Sequence, residues 1–497
     1  MEDQDIGDHL DHTFEVSLSE VKERAMRGVV AIMGRGFLLS FIAQISQFFL
    51  LAFMNEEQMG VFWIVSAAVG FLVFFSDIGL AAALIQKKEK PTKADLYTTF
   101  TVQQTLVLCL LVILLFLTPG LRTTYHLTDD GMYLLYALGV SLLLSSLKSV
   151  PSVLLERKLE FAKMIIPDLL ESLVYSLVVV YLAWKGFGVR SFTYAVLIRG
   201  VIGVVAMYSI QPWRPALGFS TKALKGLFSF GVPYQLNTLI AVVKDRGVTL
   251  ALGAIVGTGG VGYLGTAERA SQIPLRQFLD PITKVTFPAF ARMQDHKDEL
   301  ANSVTRSLMV ITFFVFPSIV GLWLIAPLII QIVPNYAKWE PSLVPLGFLT
   351  INVLFASVTT QLTNMLMAIG KIRIVSKLIF MWMILTIIFV PGLGVIYGIN
   401  GAAAGYAIVS STSIIAIAIA KKHVNFSLAN SVLKTGIATG IMASALFITR
   451  SVLTVNLYSV AGLIVLGGAV YLISAYLIIG PTLLNDAKKF AKVFVGK

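Results

Sequence analysis

Charge is what this sequence has least of. Asp, Glu, Lys and Arg make up 13% of its 497 residues, against about 25% in a soluble domain. So few charges cannot cover a water-exposed surface of this size, which excludes a soluble globular class. Cysteine is almost absent. The one thiol, Cys109, sits inside an apolar run, which excludes an intrachain disulfide and a thiolate metal site. The five histidines are scattered; His9 and His12 stand three apart in an acidic stretch, two imidazoles without further ligands. No P-loop, HExxH, GxSxG or CxxC occurs, and no two carboxylates stand out as an acid–base couple. Neither a metal, a cofactor nor an enzyme reaction is therefore expected. Gly257-Thr-Gly259-Gly-Val-Gly262 matches a dinucleotide pattern, but that pattern works only between a strand and a helix. Here it lies between two apolar runs and reads as a tight turn. Also missing is the basic region and short apolar core of a signal peptide. Residues 1–23 are acidic instead, from Glu2 and Asp3 to Glu20 and Glu23, and read as a soluble tail.

What the chain has is long apolar runs. Hydrophobic residues make up 57% and mean hydropathy is +0.82. Runs such as Phe100 to Pro119 and Leu457 to Ile479 have the roughly 20 residues that span the hydrocarbon core as a helix. Fourteen candidate spans follow: 26–52, 59–86, 96–118, 132–155, 164–184, 187–209, 228–254, 260–288, 304–326, 344–367, 373–397, 400–420, 435–451 and 457–480. The net charge of +12 could suggest nucleic acid. The basic residues, however, gather at the ends of the runs, which is the pattern of membrane topology. With the N-terminus inside, the inner segments hold 25 Lys and Arg and the outer segments 5. Both termini are therefore expected in the cytoplasm.

No connection is long enough to fold as a separate domain. The longest inner one carries Pro212 and Pro215 and falls after the sixth span. The expected division is a cytoplasmic tail (1–25), a six-helix bundle (26–210), an amphipathic linker (211–227), a second six-helix bundle (228–422), and an extra helix pair with a basic tail (423–497). A weak repeat supports it. Glu57-Gln-Met-Gly60-Val-Phe and Gly259-Gly-Val-Gly262-Tyr-Leu place Gly60 and Gly262 at an offset of 202, and Asp77 and Asp280 at 203. Six spans per half make the repeat parallel, with its axis along the membrane normal.

Charges at bilayer depth cost at least about 2.5–3.5 kcal/mol each and need a cavity or a partner. On the eighth span, Arg269, Gln272, Arg276, Asp280 and Lys284 fall within an arc of about 120° at 100° per residue. Such a stripe cannot face lipid. Arg269 and Arg276 are the leading candidates to bind an anion, with Arg35, Lys244, Arg246 and Lys284 beside them. Asp77, Asp245, Glu268 and Asp280 are candidates for coupling or for pairing with these cations. Lys148, Asp168, Glu171 and Arg306, near span ends, read as paired or snorkelling groups. The last two spans carry no charge between Thr435 and Thr449 or between Leu457 and Ile479, and can sit at the periphery against lipid.

Several stretches resemble one known family. They are Asp77-Ile-Gly-Leu-Ala-Ala-Ala-Leu-Ile-Gln86, Pro151-Ser-Val-Leu-Leu-Glu156-Arg157-Lys-Leu-Glu-Phe161, Trp213-Arg-Pro215, Phe228-Ser-Phe-Gly231-Val-Pro233, Gly262-Tyr-Leu-Gly-Thr-Ala267-Glu-Arg269 and Phe287-Pro288-Ala-Phe. In this order, over roughly residues 25 to 430, they resemble the Wzx-type polysaccharide flippases of the colanic-acid exporter branch. That family belongs to the multidrug/oligosaccharidyl-lipid/polysaccharide superfamily. The resemblance implies two six-helix bundles around a central cavity in the bacterial cytoplasmic membrane. It also implies a substrate, an oligosaccharide on undecaprenyl pyrophosphate, and partners among lipid, polysaccharide polymerase and export machinery. Lys244-Asp245-Arg246 departs from the family, which more often shows Asn and Asp there. Two other readings stand beside it. A drug/cation antiporter needs an acidic or aromatic pocket, which a cationic stripe disfavours. A membrane-embedded polymerase or glycosyltransferase needs a sizeable loop or domain, which the short outer loops deny.

Overall fold

In lipid the α-helix satisfies every backbone group of an apolar run within the run itself. The computed structural model describes residues 18–87 and 89–480, and every regular element among them is helical. In chain order they are α1 (Leu18–Phe53), α2 (Glu56–Val73), α3 (Leu80–Gln86), α4 (Lys93–Thr124), α5 (Asp129–Leu147), α6 (Ser149–Arg157), α7 (Phe161–Trp184), α8 (Arg190–Ile210), α9 (Thr221–Arg292), α10 (Lys297–Ile332), α11 (Leu343–Ala368), α12 (Ile372–Ser411), α13 (Ser413–His423), α14 (Lys434–Val452) and α15 (Leu457–Ile479). The acidic stretch expected as a tail, with His9 and His12, lies largely outside the described residues, as does the basic C-terminal stretch.

Among the described residues, 12 helical stretches are long and apolar enough to cross a membrane. Side chains such as Phe116 (81% exposed), Leu177 (69%) and Leu477 (75%) stay uncovered by protein, which in a bilayer is lipid contact. The chain is a multi-pass membrane protein. Two of the stretches, Val242–Arg292 and Ile372–His423, hold 51 and 52 residues. Straight, each would be about 76 Å long, over twice the hydrocarbon thickness. Each is broken by a glycine with backbone angles that only glycine adopts readily: Gly257 (φ 71°, ψ 178°) in α9 and Gly398 (φ 61°, ψ −143°) in α12. At Gly398 the helix doubles back. A methyl on Gly405 would lie 2.8 Å from the Val390 Cα, whereas a straight helix would hold those residues about 22 Å apart.

The second expected span is not continuous either. α2 stops at Val73, and the chain turns through Ile78 and Gly79, both at positive φ, before α3 begins. Asp77 sets the start of α3: both carboxylate oxygens accept from the Ala81 amide at 3.2 Å. Arg157, buried at the end of α6, sets its end. Its guanidinium donates to the carbonyls of Leu84 (2.6 Å), Ile85 (3.1 Å), Lys87 (2.8 Å) and Glu89 (3.2 Å). An anion at the first turn and a cation at the last match the helix dipole at both ends. Arg157→Ala strands the carbonyl of Leu84, whose bond is buried, at about 1–3 kcal/mol, and frees three half-buried ones. It should lower the melting temperature of the detergent-solubilised protein, while Arg157→Lys, with one nitrogen for four acceptors, recovers only part.

The chain forms two compact units, Met1–Gly262 and Tyr263–Lys497. In the first, the linker is pinned rather than free. Trp213 packs edge-on to Phe100 at 5.2 Å, and Thr101 and Thr98 accept from the amides of Gly218 (2.9 Å) and Ser220 (3.0 Å). The first half of α9 then runs along α2: the Gln235 amide reaches the Phe74 carbonyl, and Gly253 packs on Ile64. In the second unit, Leu275, Leu279 and Ile282 of α9 pack with Ile311, Val315 and Ile319 of α10 and Val353 of α11. α14 and α15 join α10 through Met309, Met442 and Leu463. Hydroxyls secure that contact: Thr435 donates to Thr312 at 2.9 Å and Tyr471 to the Phe313 carbonyl at 2.8 Å.

Candidate functional site

The second half of α9 has two faces. Leu264, Ala267, Ser271, Leu275, Leu279 and Ile282 recur at three- and four-residue steps and are all buried. On the other side Arg269, Arg276, Asp280 and Lys284 are all exposed, and Glu268, though exposed, projects on the side of the apolar row. The apolar face anchors the helix in the second unit and so fixes where the charged face points. Arg276 and Asp280 stand 3.6 Å apart one turn along the helix, with side chains 68% and 50% exposed. Such an open pair holds its partners weakly. Lys284 has no ion pair among the described residues. Glu268 and Arg269 are both engaged by neighbours. Gln272 adds a buried side-chain carbonyl oxygen with no hydrogen-bond donor among the described residues.

The other sequence candidates lie in the first unit. Arg35 of α1 pairs with Asp168 of α7 at 2.5 Å, leaving its Nε buried and without an acceptor among the described residues. Lys244 pairs with its neighbour Asp245 at 3.2 Å. The Arg246 guanidinium covers Gly70 of α2, with Nε 3.2 Å from where a methyl would stand. Asp77 is occupied in capping α3. Beside the Arg35 pair sits a denser cluster. Glu171 of α7, buried, takes Lys148 on one carboxylate oxygen and the Arg199 Nε on the other at 3.3 Å. Gly203 of α8 leaves the space that this carboxylate fills. The structure thus gathers one charged face in the second unit, and in the first it places most candidate charges in pairs or caps.

Sequence reasoning passed over Arg157, which looked like one more basic residue at an inner helix end. Its place within the Glu156-Arg157 motif was the available signal.

A fold and a charge pattern of this kind fit many carriers, and likeness to known proteins narrows them. The polysaccharide biosynthesis protein family matches residues 28–343. The chain belongs to this family. Proteins similar to it include the succinoglycan biosynthesis transport protein ExoT of Rhizobium meliloti (strain 1021), 20% identical over 345 residues, 69% of this chain and 68% of that one. The lipopolysaccharide biosynthesis protein WzxC of Escherichia coli (strain K12) is 24% identical over 412 residues, 80% of this chain and 78% of that one. The resemblance drawn from the ordered motifs therefore holds. In fold, the chain is similar to the lipid II flippase MurJ in an inward closed conformation: TM-score 0.74 at 16% identity, covering 91% of this chain and 98% of that one. A multidrug resistance MATE family transporter in an inward-facing conformation follows at TM-score 0.58 and 14% identity, covering 78% and 94%. The family member is thus built on a transporter fold shared with both.

Proposed function

We propose that this protein moves a lipid-linked oligosaccharide, carried on undecaprenyl pyrophosphate, from the inner to the outer leaflet of the bacterial cytoplasmic membrane. The observation that carries this reading is the exposed face Arg269–Arg276–Lys284, anchored by a buried apolar face on the same helix. A helix face in lipid that carries Arg269, Arg276 and Lys284 needs water, and Asp280 on that face offsets only part of its positive charge. A pyrophosphate supplies a balancing anion, and the planar guanidinium suits it. The names of the curated relatives, in succinoglycan and lipopolysaccharide synthesis, agree with a sugar cargo. In this reading the two bundles, 26–210 and 228–422, alternate access to one cationic cavity, with the 423–497 pair outside it. Arg35, Lys244 and Arg246 join the site once substrate draws them from their present partners. A polysaccharide polymerase and export machinery take up the product. A cationic face disfavours the drug/cation antiporter.

Deleting the gene in its own host should stop surface polysaccharide and leave carrier-linked oligosaccharide on the inner leaflet. Normal surface polysaccharide in the deletion strain would overturn the reading. The orientation is tested in a Cys109→Ala background, because Cys109 is exposed. Single cysteines at Glu56 and Asn400 should react with an impermeant maleimide from outside, and cysteines at Lys90 and Lys422 should not. The reverse pattern would invert the topology.

A further inference from the structure

Gly60 and Gly262 occupy matching places in the sequence repeat, and the fold brings them against one another. A methyl on Gly60 would run into the Thr258 carbonyl and stand 3.1 Å from the Gly262 amide nitrogen. A methyl on Gly262 would run into the Glu56 carbonyl and stand 3.1 Å from the Glu56 Cα. The contact is backbone on backbone, from both sides. Its two halves are set by local structure. On one side Asn55 and Gln58 form a capping box that fixes the first turn of α2. On the other, the turn at Gly257 starts the segment that ends in Gly262. Just beneath, Ile64 is 1% exposed, and a methyl on Gly253 would come within 2.9 Å of it.

We propose that this glycine contact is the outer seal of the translocation path, closed here and parted each time cargo leaves. The proposal rests on the transport reading and on its orientation, which puts Glu56 outside. Small residues let helix backbones meet closely in lipid, where no hydrophobic force drives helices together. Among the described residues, no ion pair or side-chain hydrogen bond joins 55–60 to 257–262. Opening therefore breaks van der Waals and weak Cα–H···O contacts and leaves no buried charge behind. A seal that must open in every cycle needs that low cost. It also needs the missing side chains, since any Cβ at either glycine holds the two backbones apart.

The test uses the full chain with Cys109→Ala and a reporter, Ile64→Cys, in membrane vesicles. With the seal intact the reporter should resist an impermeant maleimide from the outer side. Gly60→Leu should raise its labelling rate about tenfold, as expected when a minor open state becomes the main one. Gly60→Ala, with one methyl against the same carbonyl, should give a smaller rise and serves if leucine unfolds the protein. In a separate protein, Glu57→Cys with Gly259→Cys puts a thiol on each side of the contact for oxidative cross-linking, since a methyl on Gly259 would lie 3.8 Å from the Glu57 Cγ. Oxidation should stop transport and reductant should restore it. A reporter that stays protected in both folded Gly60 variants, or a cross-linked protein that transports at the parental rate, would overturn the seal. Labelling needs no cargo, so it judges the seal even if the cargo is another molecule. Absence of lipid-linked sugar transport by the parent protein would sink the cargo reading alone.

Discussion

Alanine at Arg269 or Arg276 should abolish polysaccharide export while leaving the protein folded and inserted. Both guanidinium groups stand on the exposed face of α9, two turns apart, and the opposite face holds the helix in place. Truncating either leaves that apolar packing intact, so the fold has little reason to fail. The Arg276–Asp280 pair, 3.6 Å apart and open to solvent, is worth about 0.5 kcal/mol at most, so an arriving phosphate displaces the carboxylate easily. Each hydrogen bond from a guanidinium to a charged oxygen contributes about 1.5–3 kcal/mol. Losing a two-pronged contact therefore removes roughly a hundredfold or more in binding. Arg→Lys at either position should keep part of the activity, because the charge stays and the fork is lost. Lys284→Ala should do less, as a single point charge about two turns beyond Arg276. Surface polysaccharide, read beside protein level and melting temperature, checks each variant. The melting temperature matters most for Arg269, which is already engaged by a neighbour. If both alanine variants exported at the parental rate, the charged face would be a solvated surface and the site would lie elsewhere.

The face itself is legible in the sequence, because one period orders both sides of the helix. Charges at 269, 276, 280 and 284 and apolar residues at 264, 275, 279 and 282 sit opposite each other at 100° per residue. The breaks at Gly257 and Gly398 are legible for a similar reason: a glycine closes an apolar run too long for one crossing. What hydropathy cannot read is the purpose of a lone charge near a helix end. Asp77 reads as a coupling or pairing carboxylate and Arg157 as one more basic residue at an inner helix end, yet one caps the start of α3 and the other its end. Their partners are backbone carbonyls and amides, which every sequence has everywhere, so only the fold says which are in reach. Arg35 shows the same limit differently. It reads as a substrate ligand because it is a cation inside an apolar span, and the structure sets it on Asp168, 133 residues away. The meeting of Gly60 and Gly262 hides in plain view, since a repeat tells that two sites correspond and not that they touch.

The other large effect lies in the first unit. Glu171→Ala should be severely destabilising, with a sharp drop in melting temperature and in the amount of protein recovered from membranes. Glu171 binds Lys148, at the end of α5, through one carboxylate oxygen and Arg199 of α8 through the other. Asp168, one turn back on α7, binds Arg35 of α1. Three cations from three helices thus converge on two carboxylates of a fourth. Glu171 and Lys148 have side chains only 8% and 16% exposed. Removing the acid leaves Lys148 and Arg199 with only Asp168, already paired with Arg35, to balance them. Breaking a buried pair from one side costs about 3–5 kcal/mol, and lipid offers no water to take over the solvation. Glu171→Gln keeps the shape and one acceptor and should fall between alanine and the parent. Gly203→Ala should mimic the loss, because its methyl would occupy the space of the carboxylate oxygen. The decisive comparison is Glu171→Leu alone against Glu171→Leu with Lys148→Met. If the pair is structural, the double variant regains most of the stability that the single one loses, since no stranded ammonium remains. If Glu171→Ala melts with the parent, the cluster does not hold these helices together, and its charges are free for another task.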